Sequence, residues 1–380
     1  MKLYYIALLF SVLLSACGAP VAPALQTQLT VAESMNRADT SGFKKAIEPR
    51  TFSFPADHGP HDGYAVEWWY LTGNLTASDG RELGYQFTLF RSGITPPTDD
   101  AQALSAWRSD TAFMGHLAVT DVTGQRFFAY ERFSREAIGL AGAQAAPFRV
   151  WLDDWQVTSA DPAVQTMQLI ANEGEIALDL MIDSRQPPLL QGDAGLSQKS
   201  AGAGNASYYY SMTRMPTTGQ MTIAGEVYTV TGNSWMDREW STSALADDQE
   251  GWDWFALHFV DGSDLMIYHL RRTDGTSDPY SAGIYRGADG QVVRLKSDDI
   301  TFVPQGSWRS PHTGGIYPAA WRIQVVPLDL SMTVTPALAD QELQVTVRYW
   351  EGTVRVRGEM AGAPLSGIGY LEMTGYADRR

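Results

Sequence analysis

An all-β fold built as two successive antiparallel barrels is what this sequence predicts, and three observations carry that prediction. Apolar residues recur with period two from Phe52 onward, Asp-Gly and Thr-Gly turns interrupt them at short intervals, and long helical stripes are absent. Many short, hairpin-linked strands argue for barrels or sandwiches, and 380 residues are too many for one small barrel.

The N-terminus predicts a targeting signal. Lys2 supplies a positive charge, Leu3 to Leu14 form an apolar run, and Leu14-Ser15-Ala16-Cys17 reads as a lipobox whose cysteine is acylated after cleavage. The run is too short to stay as a membrane-spanning helix. Each buried methylene contributes about 0.8 kcal/mol, so several acyl chains would hold a soluble domain on a membrane. An ordinary signal peptide with a coincidental cysteine is the plainer alternative. Gly18, not an aspartate, follows the cysteine. The expected location is therefore the cell envelope, lipid-anchored and facing the periplasm or the surface, with the outer membrane favoured. Residues 18–48 are Ala, Pro, Thr, Gln and Ser in loose order, with a weak helical stretch around Val31 to Ile47, and read as a flexible tether.

The strands follow. Glu67 to Leu75 turns at Ser78-Asp79-Gly80 into Leu83 to Phe90, with Leu83, Tyr85, Phe87 and Leu89 on one face. Trp254 to Val260 turns at Asp261-Gly262 into Leu265 to Leu270, and Leu343 to Trp350 turns at Glu351-Gly352 into Thr353 to Gly358. Further turns are expected at Thr123-Gly124, Asp274-Gly275 and Asp289-Gly290. Pro187 to Ser207 reads as a long loop. The boundary between barrels is placed near Thr229 to Gly232, giving domains 49–229 and 230–378. No internal sequence repeat is evident.

Composition removes several classes of function. Cys17 is the sole cysteine, so the mature domain has no internal disulfide, no cysteine nucleophile and no thiolate metal site. A formal charge of −15 argues against nucleic acid and anionic lipid surfaces. A nucleophile elbow, a phosphate loop, a dinucleotide fingerprint and a His-Glu-x-x-His motif are all missing. The 12 tryptophans and 17 tyrosines suit barrel interiors, pocket walls and plain cores alike.

The densest chemistry is Gly232-Asn233-Ser234-Trp235-Met236-Asp237-Arg238-Glu239-Trp240. On a strand, Trp235, Asp237 and Glu239 share one side; Met236, Arg238 and Trp240 share the other. Two adjacent carboxyls repel, and under the cover of Trp235 one would keep its proton near neutral pH. Acid-initiated addition to an alkene needs such a group. The alternative is that Arg238 or another arginine pairs with these acids and pins the junction between domains. Trp252, Trp254 and His258 share a face that could line a cavity, with Tyr268 and His269 on the partner strand. His258 and His269 lack a third metal ligand at a recognisable spacing, and structural histidines are the simpler reading. His58 and His61 flank a Gly-Pro turn and are a weak metal signal. Trp68 and Trp69 must point to opposite faces, and Glu67, on the face of Trp69, needs a partner if buried.

Taken in order, Glu67-Trp68-Trp69-Tyr70, the Trp235-to-Trp240 run, Gly251-Trp252-Asp253-Trp254, Ser307-Trp308, Tyr317-Pro318, Asp340-Gln341-Glu342, Tyr349-Trp350-Glu351-Gly352 and Tyr370 to Tyr376 resemble one family. It is the lipocalin-like family of carotenoid 1,2-hydratase (hydroxyneurosporene synthase) and the AttH-like proteins, in its secreted "predicted hydrolase" branch. The resemblance covers Phe52 to Tyr376 and implies two lipocalin-like barrels packed together. It also implies cofactor-free hydration of an isoprenoid double bond, onto which Asp237 carries over as the acid, with Trp235 and Trp240 beside it. Arg238 stands where that resemblance leads one to expect a histidine.

Two readings follow. The first is a membrane-anchored protein binding a long apolar lipid or isoprenoid, with an envelope transporter as candidate partner. The second is a hydratase with Asp237 and Glu239 as catalytic residues and no cofactor; hydrolysis is a weaker third. In both, Trp235, Trp240, Trp252, Trp254, His258, Tyr268, His269, Glu67 and Trp69 are the candidate ligand contacts. The ligand is expected inside hollow sheets whose apolar interior meets the acid near the seam.

Overall fold

The computed structural model describes residues 29–30, 40–97, 109–243 and 245–376. Cys17 and most of the expected tether lie outside them. Residues 40–47 form turns and extended chain, not a helix. Phe43 and Ala46 are already buried, so the packed domain takes in the end of the segment read as tether.

The first sheet comprises β1 (Val66–Ala77), β2 (Glu82–Gly93), β3 (Thr111–Asp121), β4 (Arg126–Arg135), β5 (Ala141–Ala145), β6 (Phe148–Leu152), β7 (Trp155–Thr158), β8 (Thr166–Glu173), β9 (Ile176–Asp183), β10 (Ala206–Ile223) and β11 (Glu226–Ser241). The second comprises β12 (Gln249–Phe259), β13 (Asp264–Arg272), β14 (Ala282–Arg286), β15 (Val292–Lys296), β16 (Ile300–Arg309), β17 (Ile316–Val325), β18 (Leu330–Pro336), β19 (Val347–Met360) and β20 (Ala363–Met373). Their spatial orders are β4-β3-β2-β1-β11-β10-β9-β8-β7-β6-β5 and β15-β14-β13-β12-β20-β19-β18-β17-β16, with short strands Leu189–Leu190 and Leu196–Gln198 added on β10, inside the stretch expected as a loop, and Leu29–Thr30 and Glu342–Leu343 added on β19. In each, the last strand in sequence returns to pair with the first, and the seam falls between the fourth and fifth strands. The two barrels are therefore topological copies, although no sequence repeat is visible. The strand crossing residues 229–230 keeps its pairing with β1 and β10 through Ser241, and the chain passes to the second sheet only after it.

Period-two alternation decides which side chains enter each barrel. Trp69, Leu71 and Leu75 of β1 meet Tyr85, Phe87 and Leu89 of β2 inside the first, and Phe255, Leu257, Ile267 and Leu371 fill the second. Each fully buried large apolar side chain contributes about 1.5–3 kcal/mol, which suffices without disulfides. Both interiors are thus packed cores. The expected hollow interior is corrected, because wide aromatics such as Trp69, Tyr85 and Trp155 fill the space a ligand would need. A separate apolar group of Tyr70, Tyr209, Trp235, Trp254, Tyr268 and Tyr370 lies on the outer faces, where the barrels meet.

One expected hairpin is different. Glu351-Gly352 is not a turn; β19 runs straight through it and reverses at Ala361-Gly362, both with positive φ. Gly352 lies under the side chain of Gln341, where a Cβ would come within 2.2 Å of the amide carbon. That side chain joins the barrels, accepting from Thr120 Oγ1 at 2.7 Å and from the Thr353 amide at 2.9 Å. The glycine thus answers a packing demand that resembles a turn signal. Gly352→Ala is expected to destabilise by about 1–3 kcal/mol in urea denaturation.

Candidate functional site

A cavity of about 150 Å³ opens between the two barrels. That is the size of engineered apolar cavities that admit benzene. Its apolar wall includes Trp68, Phe90, Met114, Trp252, Trp254 and Leu270, and its polar wall Asp237, Glu239, Glu372, Lys199 and His116. Strand geometry puts them there. On β11, Asp237 and Glu239 point away from the first barrel's core, whereas Met236 and Trp240 point into it. On β1, Trp69 is a core residue and Trp68 faces the cavity.

Asp237 is buried and accepts three hydrogen bonds: from Ser211 Oγ at 2.5 Å, from Trp235 Nε1 at 2.7 Å and from the Tyr209 hydroxyl. Burial is the largest influence and pushes its carboxyl up to about 7; the three donors oppose the rise, and the charge of Glu239 adds to it last. Desolvation, more than the like-charge neighbour expected from the sequence, holds the proton. Trp254 Nε1 donates to Tyr209 Oη at 3.1 Å, so Tyr209 links the acid to the aromatic wall. Glu239 is ion-paired with Lys199 Nζ at 3.1 Å and accepts from Ser207 Oγ. Lys199 sits over the rings of Tyr268, at 4.5 Å, and Tyr209, at 5.1 Å.

Arg238 does not neutralise these acids. It points to the other face, pairs with Glu67 at 2.5 Å and lies 3.9 Å from the Trp69 ring centre. Glu67 also accepts from Arg91 Nη1 at 3.1 Å, and these cations hold its carboxyl far below the usual range despite its burial. Glu67 reaches the cavity rim, but as the centre of this ionic lock.

Of the other expected contacts, the structure brings Trp252, Trp254 and Tyr268 to the cavity. Trp235 acts through its bond to Asp237. Trp240 and Trp69 belong to the first barrel's core, with Trp240 stacked on His61 at 3.7 Å. His258 is bonded to Asp264 at 2.8 Å, and His269 to Asp253 at 3.2 Å. The β12–β13 register pairs His258 with Asp264 and Asp253 with His269, which sends the two histidines to opposite faces. Among the described residues no group of three or more His, Cys, Asp or Glu side chains is placed to hold a metal ion.

The sequence reading missed His116, Lys199, Tyr209 and any role for Glu351 and Glu372. His116 is fully buried, and burial lowers it to about 3, so it is neutral. Its Nδ1 lies 2.7 Å from the Tyr349 hydroxyl, and its Nε2 has no hydrogen-bond partner among the described residues. The available signal was a polar residue on the outer face of β3, alternating with Phe113, Gly115 and Leu117; only the second barrel turns that face into a cavity wall.

Fold and site together define a class: two lipocalin-like barrels, packed side by side, with buried carboxyls in the cavity between them. The chain belongs to the AttH-like family, whose model matches residues 45–376. It is similar to the crystal structure of an AttH protein from Nitrosomonas europaea, with 32% identity, a TM-score of 0.77 and coverage of 88% of this chain and 100% of the other. It shares its fold with the structure of kievitone hydratase from Nectria haematococca, at 17% identity and a TM-score of 0.67, over 89% of this chain and 99% of that one. A kievitone hydratase of Fusarium solani subsp. phaseoli is 22% identical over 253 residues, 64% of this chain and 69% of that protein.

Proposed function

We propose that this protein is a cofactor-free hydratase, adding water across a carbon–carbon double bond of an apolar ligand seated between the barrels. The observation that supports it best is Asp237, a cavity-facing carboxyl raised to about 7, two residues along the strand from the ion-paired Glu239. Protonated Asp237 gives its proton to one alkene carbon, directly or through Tyr209. The cation left on the other carbon is steadied by the faces of Trp68, Trp254 and Tyr268. Water adds there, and Glu239 takes the proton it releases. The proton then returns to Asp237, and the net change is the addition of one water. The hydratase relatives support the reaction class, and the apolar wall supports an isoprenoid or similarly sized lipid segment as the group that enters. Acylation of Cys17, with attachment to the outer membrane, would set the cavity beside a lipid phase and any envelope transporter that loads it.

The test uses the chain from residue 18 onward with Cys17 replaced, incubated with terminal isoprenoid alkenes in heavy-oxygen water. A labelled tertiary alcohol is expected, formed fastest below about pH 7. The absence of labelled alcohol from every alkene would end this reading.

A further inference from the structure

We infer that Glu372, backed by Glu351, is a second catalytic carboxyl of the cavity, set there by the second barrel at the position Glu239 holds in the first. The inference rests on the hydratase reading and on strand registers. In the first barrel Glu239 of the closing strand β11 faces Trp68 of the opening strand β1, and Trp68 faces Phe90 of β2. In the second, Glu372 of the closing strand β20 faces Trp254 of the opening strand β12, and Trp254 faces Tyr268 of β13. All six side chains line the cavity. Each copy of the fold therefore contributes the same row of carboxyl, tryptophan and second aromatic.

The rows differ one strand further on. Beyond Glu239 stands Tyr209, whereas beyond Glu372 stands another carboxyl, Glu351. Directly opposed residues on neighbouring strands bring their side chains together; Glu351 is 0% exposed, and Glu372 is half-buried in the cavity wall, where Trp252 hydrogen-bonds to it.

 Tyr70 donates to Glu351 Oε1 at 2.6 Å, and Glu351 Oε2 has no hydrogen-bond partner among the described residues. Two carboxyls set directly opposite each other without a cation between them hold on to protons, and the unpartnered oxygen of buried Glu351 is where it carries its own. Glu372 is raised to about 8, chiefly by burial. Facing the cavity, it gives its proton to the alkene carbon; the new C–H bond forms as the π bond breaks, water adds to the cation, and Glu239 takes the released proton. Glu351 then reloads Glu372 across the strand pair, and the proton on Glu239 returns to Glu351 through water in the cavity, so that the net change is again one water added. Across the cavity, the unpartnered Nε2 of buried His116 is the second sign that a ligand or its water completes this site.

The experiment compares Glu372→Gln, Asp237→Asn and the double variant in the full chain, across pH 6–9, with the isoprenoid alkenes above. Two proton donors predict that the activity left in Asp237→Asn persists up to about pH 8, and that adding Glu372→Gln removes it. The double variant should fall at least about tenfold below Asp237→Asn. Infrared spectra in light and heavy water supply a readout that needs no turnover: the protonated-carboxyl band at pH 7, to which Asp237 and Glu351 also contribute, should lose one component in Glu372→Gln. A double variant equal to Asp237→Asn, or a band unchanged by Glu372→Gln, overturns the inference. A parent that hydrates nothing but loses that component in Glu372→Gln sinks the hydratase reading, and the catalytic role with it, while leaving the protonated state established.

Discussion

Asp237→Asn is expected to lower hydration about a hundredfold, the loss typical of a removed general acid, and to make the folded chain more stable at alkaline pH. The two effects share one cause. Burial holds the Asp237 carboxyl at about 7 against an ordinary 3.8. A carboxyl raised in the folded state contributes stability that is complete below pH 3.8 and is lost as pH rises through about 7. Asparagine carries no charge at any pH. Its amide oxygen can still accept from Ser211 and Trp235, and its amide nitrogen can donate to Tyr209, so the packing survives. The variant should therefore melt roughly several degrees above the parent at pH 8 and no higher near pH 3.5. Calorimetry at the two pH values separates this from a simple packing change. Equal melting temperatures of parent and variant at pH 8 would show that Asp237 does not retain its proton in the fold.

Arg238→Ala should cost about 3–5 kcal/mol, the penalty for leaving one half of a buried ion pair without its partner. Arg238 and Glu67 are both 0% exposed. The guanidinium also donates to the Gly59 carbonyl and covers Trp69. Its removal takes the donor on β11 from the Gly59 carbonyl as well as uncovering Glu67. Urea denaturation measures the loss. Arg238→Met combined with Glu67→Gln should recover part of it, because the unpaired buried carboxylate is gone and Arg91 keeps its pair with Asp62. A loss below about 1 kcal/mol, the value of a surface pair, would show that Arg91 and His61 alone satisfy Glu67.

The same lock shows how far a sequence reading can go. That Glu67 needs a partner if buried follows from the cost of an unpaired charge. That Arg238 stands on the opposite face of its strand from Asp237 and Glu239 follows from the period of two. Which of the chain's arginines would meet Glu67 does not follow, because the β1–β11 register joins residues 171 positions apart. Gly352 misled for a related reason. Glu-Gly between apolar runs is a local turn signal, but the demand on that glycine came from Gln341, which approaches from outside its hairpin. His258 and His269 were candidate neighbours until the register sent them to opposite faces.

Alternation along single strands was sufficient for much else. The all-β class, the hairpins at 67–90 and 254–270, the opposite faces of Trp68 and Trp69, and the common face of Asp237 and Glu239 depend on residues close together in the chain. A strand's geometry projects successive side chains to opposite sides wherever it lies. The location of the cavity had no such local basis. His116, Lys199, Asp237 and Glu372 come from distant stretches, and they meet because the outer faces of two duplicated barrels close on one another. Only that packing removes water from Asp237 and Glu372, and removal of water is what raises their carboxyls.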